Sequence, residues 1–201
     1  MYSNPNISGP KKSFYSVLEQ KPQWKTQLQD DCHWPHEPRV PVLCFPAGMS
    51  DELGGRLLQE MLPGILAMQC EILILGKGSA DYGALFTKLA KEHSHRVHIV
   101  PQTERAVEQM YGAADMAIFL AETPAKEIAH CLASGIVPVA VSVPGLEDYK
   151  PVQETGNSFL IESGTKWHAF AALVRALETY KFPFDWRTIQ KHCVETAQAG
   201  R

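Results

Sequence analysis

Short apolar runs alternate with longer segments in which apolar residues recur at helical spacing. The runs predict buried strands at 40–45, 70–75, 96–100, 116–120, 136–141 and 158–161. The intervening and following segments predict helices at 51–68, 80–93, 103–113, 125–134, 166–180 and 186–198. Strands that alternate with helices in this way predict an α/β fold, a doubly wound parallel six-stranded sheet of the Rossmann-like type.

The stretch 115–149 carries the strongest pattern, a strand, a helix and a second strand with a loop after each strand. Pro124 can begin the helix and Gly135 can end it. The two strands should therefore be parallel neighbours, with their following loops at the same edge of the sheet. Ligands of open α/β sheets bind at that edge. Glu122 lies in the first loop and Gly145-Leu146 in the second.

Two earlier loops are predicted at the same edge. The loop 46–50 follows the first strand, and Ser50 is a candidate N-cap for the helix predicted at 51–68. Gly76-Lys77-Gly78-Ser79 follows the second strand, where backbone N–H groups at a helix start would suit an anion. Asp81 stands where the dinucleotide-binding fingerprint requires glycine, so a plain tight turn is an equally good interpretation.

Residues 1–38 are polar and rich in proline, with one helical segment near 22–30, and are interpreted as an N-terminal arm or linker. Residues 39–201 are then the folded domain. The cluster Cys32-His33-Trp34-Pro35-His36 fits no usual zinc spacing, so no metal site is expected. On the helix predicted at 166–180, one apolar stripe is expected to pack in the core. The stripe consists of Trp167, Phe170, Leu173, Val174 and Leu177.

The composition narrows the class of protein. A net charge of −3 lacks the basic excess of nucleic-acid or acidic-membrane binders. No apolar run approaches the length of a membrane span, and the polar start has no signal-peptide core. Five scattered cysteines favour free thiols. We therefore expect a cytoplasmic protein that binds neither nucleic acid nor membrane.

Five short motifs follow one another along the chain. They are Leu75-Gly76-x-Gly78, Tyr111-x-x-Ala114-Asp115, Glu122 with Gly135-Ile136-Val137-Pro138-Val139 beginning thirteen residues later, Pro144-Gly145-Leu146-Glu147-Asp148, and Thr155-Gly156. In order and spacing they resemble motifs in the C-terminal half of starch and glycogen synthases, which are retaining glucosyltransferases built from two Rossmann-like domains (the GT-B type). The resemblance extends from about Pro22 to the end of the chain.

The resemblance implies that this half binds the nucleotide sugar, ADP-glucose or UDP-glucose, with no separate cofactor and no metal. The other, N-terminal half would hold the acceptor α-1,4-glucan, and transfer would occur between the halves. The positions carried over to donor binding are Glu122, Gly76, Gly78, Gly145 and Leu146. Expected partners are a nucleotide sugar, an α-glucan, an N-terminal GT-B half or another synthase.

The chain departs from the family at the donor phosphates. The family's Arg and Lys in the loop after the first strand fall on Gly48 and Leu53, and its base-stacking Tyr falls on Gln102. The close-approach glycine of its donor loop is Ala125. Cations stabilise the departing diphosphate, and each charge-assisted contact contributes about 1.5–3 kcal/mol. We therefore expect a catalytically impaired domain.

Two other interpretations remain open. Lys77 and Lys126 lie in neighbouring loops of the predicted edge and could rebuild a phosphate site, although the simpler interpretation is that both are solvated surface lysines. Alternatively, the chain is a non-catalytic protein- or glucan-binding module. Gly48, Met49 and Leu53 make the first loop more apolar than a phosphate site should be.

Overall fold

The computed structural model describes residues 16–121 and 124–200. The strands are β1 Val42–Phe45, β2 Glu71–Leu75, β3 Val97–Val100, β4 Met116–Phe119, β5 Val137–Val141 and β6 Phe159–Ile161. The helices are α1 Ser16–Asp31, α2 Gly55–Ala67, α3 Ala80–Glu92, α4 Glu104–Ala113, α5 Ala125–Ala133, α6 Lys166–Tyr180 and α7 Pro183–Ala199. Each strand lies within the segment predicted for it.

The strands form one parallel sheet in the order β3-β2-β1-β4-β5-β6. The chain runs outward from β1 to β3 and then returns to place β4 on the other side of β1. This is the doubly wound order, and it confirms the predicted fold class. The loops after β1 and β4 therefore flank the point at which the strand order reverses.

Helices cover both faces of the sheet. On one face α1 packs against α4 and α5 packs against α7, whereas α2 and α6 contact each other on the opposite face. Because both faces are covered, the strands are continuous apolar runs: every residue of β1, β2 and β4 is buried. No helix in the described ranges combines the length and apolarity needed to cross a membrane.

Helix α1 belongs to the segment assigned to the N-terminal arm, and it packs on the domain through an unusual face. Lys21, Lys25 and Gln29 are buried and recur every fourth residue, so they lie on one side of the helix. Leu18 and Leu28 are buried with them. This face is largely polar, so apolar periodicity could not reveal that it would be buried.

Helix α2 begins four residues later than predicted, and Ser50 is not its N-cap. Residues 51–54 form a turn in which the Ser50 hydroxyl accepts a bond from the Leu53 N–H at 3.4 Å. The N-cap residue is Gly54, with φ +87°. A side chain there would place its Cβ 2.7 Å from the Leu120 Cβ at the end of β4. Close contact between these two loops therefore displaces the helix start.

The expectation that Trp167 packs in the core is wrong. Trp167 is 73% exposed, whereas Leu173 and Leu177 of the same helix are buried. The buried face of α6 also includes three alanines, Ala169, Ala172 and Ala176. These small residues face the sheet, and at 3.6 residues per turn their side of the helix lies nearly opposite Trp167. The predicted stripe is therefore right at Leu173 and Leu177 and wrong at Trp167.

Candidate functional site

The carboxyl ends of β1, β2, β4 and β5 bring most of the predicted site residues to one edge of the sheet. The loop after β4 includes Glu122, which lies outside the described residues together with Thr123. The geometry of the edge is therefore described from the other three loops and from the start of α5. Glu122 keeps its role as a prediction.

The loops after β1 and β2 are joined by backbone hydrogen bonds. The Met49 N–H donates to the Lys77 carbonyl at 2.9 Å, and the Ser79 N–H donates to the Met49 carbonyl at 3.2 Å. Gly48 and Gly78 have φ values of +78° and +136°. A Cβ on Gly48 would lie 2.2 Å from the Lys77 oxygen, and one on Gly78 would lie 1.8 Å from the Met49 oxygen. These glycines permit one protein segment to approach another.

The β2 turn is also tied to the end of β3. The Gly76 N–H donates to the Val100 carbonyl at 2.8 Å, and the Lys77 N–H donates to the Leu75 carbonyl at 2.7 Å. The Gln102 side-chain amide donates to the Gly76 carbonyl at 2.7 Å. The Gln102 side chain therefore holds this turn in place.

Several acidic side chains are exposed beside these loops. A shallow depression of about 310 Å³ is lined by Asp51, Glu52 and Asp81, together with neutral polar groups. The Ser50 hydroxyl bonds to Glu52 and holds the pKa of that carboxyl below its usual value. Arg56 contacts Asp51 at 3.7 Å and is exposed. The three carboxylates that line the depression disfavour a diphosphate.

Three of the residues that the sequence connects with a phosphate site lie in the described parts of these loops and of α5. Leu53 is half-buried and packs against the core. Lys77 is exposed, and its Cβ is 3.0 Å from where a side chain on Gly48 would begin. Lys126 is exposed beside Ala125 in the first turn of α5. The Lys77 side chain therefore leaves the backbone beside Gly48.

The loop after β5 is held by a residue that the sequence reasoning did not identify. Asn157 donates through its amide to the Gly145 carbonyl at 2.9 Å, and its side-chain oxygen accepts from the Glu147 N–H at 2.9 Å. Its amide also donates to the Thr196 hydroxyl of α7 at 3.0 Å. Leu146 is buried, whereas Gly145 remains exposed at the edge. Asn157 follows the Thr155-Gly156 motif, which gave the only signal for it.

The Tyr111-x-x-Ala114-Asp115 motif lies at the opposite, amino-terminal edge. Asp115 is buried and accepts from the Val42 N–H at 2.9 Å. Tyr111 is buried in α4 and stacks on His130 with 4.3 Å between ring centroids. This motif therefore stabilises the fold and does not reach the candidate site.

The described residues hold no group of three or more His, Cys, Asp and Glu side chains arranged to bind a metal ion. All five cysteines are free thiols. Burial raises the pKa of Cys70 to about 11 and that of Cys44 to about 12. Both thiols are therefore protonated at neutral pH and behave as small apolar core residues.

Comparison with known families identifies the chain. The sequence profile of "Glycosyl transferases group 1" matches residues 40–179, which is most of this chain. The chain belongs to the group 1 glycosyl transferases. The matched range includes every described strand and ends within α6.

Among curated members, the glycogen synthase of Streptococcus equi subsp. equi is 27% identical over 185 residues, covering 88% of this chain and 39% of that protein. A rice soluble starch synthase 2-1 is 28% identical over 187 residues, covering 89% and 25%. The catalytic domain of starch synthase IV from Arabidopsis thaliana, solved with ADP and acarbose, has a TM-score of 0.71 at 17% identity, covering 88% and 39%. This group 1 glycosyl transferase chain thus spans well under half the length of these relatives, and the structural match supports the GT-B type of domain.

Proposed function

We propose that the chain is the nucleotide-sugar half of a starch or glycogen synthase-like glucosyltransferase in which the donor-phosphate site has degenerated. By itself it transfers no glucose from ADP-glucose or UDP-glucose to an α-1,4-glucan. Its remaining role is binding: to an α-glucan, to an N-terminal GT-B half or to another synthase. No metal or separate cofactor takes part.

The joined loops after β1 and β2 carry this proposal. Gly48 is buried against Lys77, so the position of the family's Arg has no room for a side chain without breaking the Met49 bonds. Leu53 is apolar, and the adjoining depression is acidic. A nucleoside diphosphate would meet carboxylates where it needs cations, which weakens donor binding and removes stabilisation of the leaving group.

Titration of the purified chain with ADP, ADP-glucose and UDP-glucose tests the proposal. The expected result is no saturable heat up to millimolar ligand, and no glucosyl transfer to glycogen. Transfer by the chain alone would show that the proposal is wrong. Absence of glucosyl transfer would not by itself show that the donor site has degenerated, because the chain spans only part of the length of its relatives. The titration with ADP and the nucleotide sugars is therefore the deciding measurement.

A gain-of-function variant makes the test sharper. Leu53→Lys restores a cation at a half-buried position without disturbing Gly48. One charge-assisted contact of about 1.5–3 kcal/mol corresponds to roughly a 10- to 150-fold gain in ADP affinity. Leu57→Lys is the matched control, because Leu57 is also a half-buried leucine but lies within α2, and it should give no gain. Equal gains in both variants would indicate nonspecific charge attraction.

The position of Lys77 favours a second candidate, an active donor half whose phosphate site has been rebuilt. Its side chain starts beside the position of the missing Arg and is exposed. Here the wild-type chain binds ADP in the micromolar range, and Lys77→Ala or Lys126→Ala weakens binding at least tenfold. Lys91→Ala, at an exposed lysine of α3, is the control. Unchanged affinity in both variants would eliminate this candidate.

A further inference from the structure

Trp167 is an exposed indole, whereas the other three tryptophans are buried or half-buried. It is 73% exposed, whereas Trp34 and Trp186 are each 5% exposed. It lies in the first turn of α6, just after β6, and therefore near the carboxyl edge of the sheet. The spacing of apolar residues in this helix predicted a buried side chain at this position.

The indole ring is oriented by its neighbours. The Lys166 Nζ lies 5.5 Å from the ring centroid and also contacts Glu60 of α2 at 3.4 Å. A cation held over one face of an indole is attracted by the ring quadrupole. Lys166 is thus tethered between two helices and occupies one face of Trp167. The high exposure of the residue leaves the other face accessible to a ligand.

Polar residues flank Trp167 in the chain. His168 follows Trp167 in the chain, and its Nδ1 lies 2.8 Å from the Ser163 hydroxyl and 2.7 Å from the Thr165 hydroxyl. The Thr165 hydroxyl also accepts from the His168 backbone N–H at 3.4 Å and caps α6. The first turn is therefore fixed, and the residues that flank Trp167 in the chain carry exposed hydroxyl and imidazole groups.

We propose that Trp167 is a stacking platform for a glucose ring of an α-1,4-glucan chain. A glucopyranose presents an apolar C–H face that packs on an aromatic face, and hydroxyl groups at its rim that bond to polar neighbours. The charge of Lys166 is balanced by Glu60, so the platform favours a neutral ligand over a nucleotide. The inference rests on the glucan-binding role proposed above and does not depend on the state of the donor site.

Tryptophan fluorescence reports directly on this residue. Of the four tryptophans, Trp167 is the exposed one; Trp24 is half-buried and the other two are buried. Maltoheptaose should cause a saturable change in emission of the purified chain, together with protection from acrylamide quenching. Trp167→Phe should still be retarded by glycogen in native gels, because it keeps an aromatic face.

The decisive comparison uses two exposed aromatic residues. Trp167→Ala should weaken retardation by glycogen roughly tenfold or more. Phe184→Ala, at a residue 71% exposed at the start of α7, should leave retardation unchanged. Equal losses in the two variants, or none in Trp167→Ala, would overturn the assignment. So would a wild-type chain that binds neither maltoheptaose nor glycogen. ADP titration reports on the donor site separately and should not respond to either change.

Discussion

Lys25 of α1 and Asp115 at the start of β4 form a buried ion pair, with 3.0 Å between Nζ and Oδ2. Lys25 also donates to the Val40 carbonyl and, at 3.0 Å, to the Tyr180 hydroxyl. Asp115 accepts in addition from the Val42 N–H at 2.9 Å. This ion pair and its hydrogen bonds therefore connect α1, β1, the start of β4 and the end of α6.

Replacing Asp115 should destabilise the protein severely. Asp115→Ala leaves the Lys25 ammonium buried without its counter-ion, and breaking a buried pair in this way costs about 3–5 kcal/mol. Urea unfolding measures the free energy of unfolding. The control is Lys88→Ala, which removes an exposed pair with Glu92 at 3.8 Å and should cost less than about 1 kcal/mol. Similar losses in the two variants would contradict the role given to the buried pair.

Glu71 should make stability depend on pH. It is buried at the start of β2 and accepts from the Gln29 amide at 2.8 Å. Burial, partly offset by the Gln29 bond, raises its pKa from 4.5 to about 7. The folded state then binds more protons than the unfolded state between these values, so this contribution to stability is present below about pH 4.5 and lost as pH rises through 7.

Glu71→Gln tests this dependence because glutamine stays neutral. The stability of the variant relative to wild type should increase as pH rises from 4.5 to 7 and then level off. Urea titrations at a series of pH values, with both proteins in the same buffers, give the difference. A difference that does not vary with pH would mean that Glu71 titrates normally.

Lys21 should produce the opposite trend at alkaline pH. Its Nζ donates to the Gly112 carbonyl at 3.2 Å and the Ser134 carbonyl at 3.4 Å. Burial lowers its pKa to about 8, although Asp115 opposes the shift. The unfolded state binds the extra proton between pH 8 and 10.5, so stability rises with pH there. Relative to Lys21→Met, wild type should gain stability across this window; a constant difference would refute the lowered pKa.

The contact between the loops after β1 and β2 predicts that alanine substitution changes stability in opposite directions at Gly48 and Gly83. Gly48→Ala places a Cβ 2.2 Å from the Lys77 oxygen at a residue with positive φ. We expect a loss above the 1–2 kcal/mol that a left-handed conformation costs, roughly, by itself. Gly83→Ala, with nothing within 4 Å of the new Cβ on α3, should stabilise by about 0.5–1 kcal/mol. Thermal unfolding of both variants checks the prediction, and a tolerated Gly48→Ala would show that the loops separate easily.

Most of the sheet was predictable because strands buried on both faces are short continuous apolar runs. The run that became β4 and the β-branched run that became β5 needed no distant information. Much less of the candidate site was predictable. The sequence connected the turn that contains Gly78 with an anion, whereas Gly78 lies against the neighbouring protein loop. Asn157 was overlooked because its three hydrogen bonds join segments far apart in the chain.

The sequence by itself determined the strand runs, the helix order and the ordered motifs of the glycosyl transferase family, because each depends on spacing between near neighbours. Tertiary structure decided which faces are buried. It turned Trp167 outward by packing alanines of α6 on the sheet, and it buried Lys21, Lys25 and Gln29 of a polar helix. These outcomes depend on carboxylates, carbonyls and packing surfaces that folding brings together from distant segments. The local spacing of apolar residues does not indicate such partners.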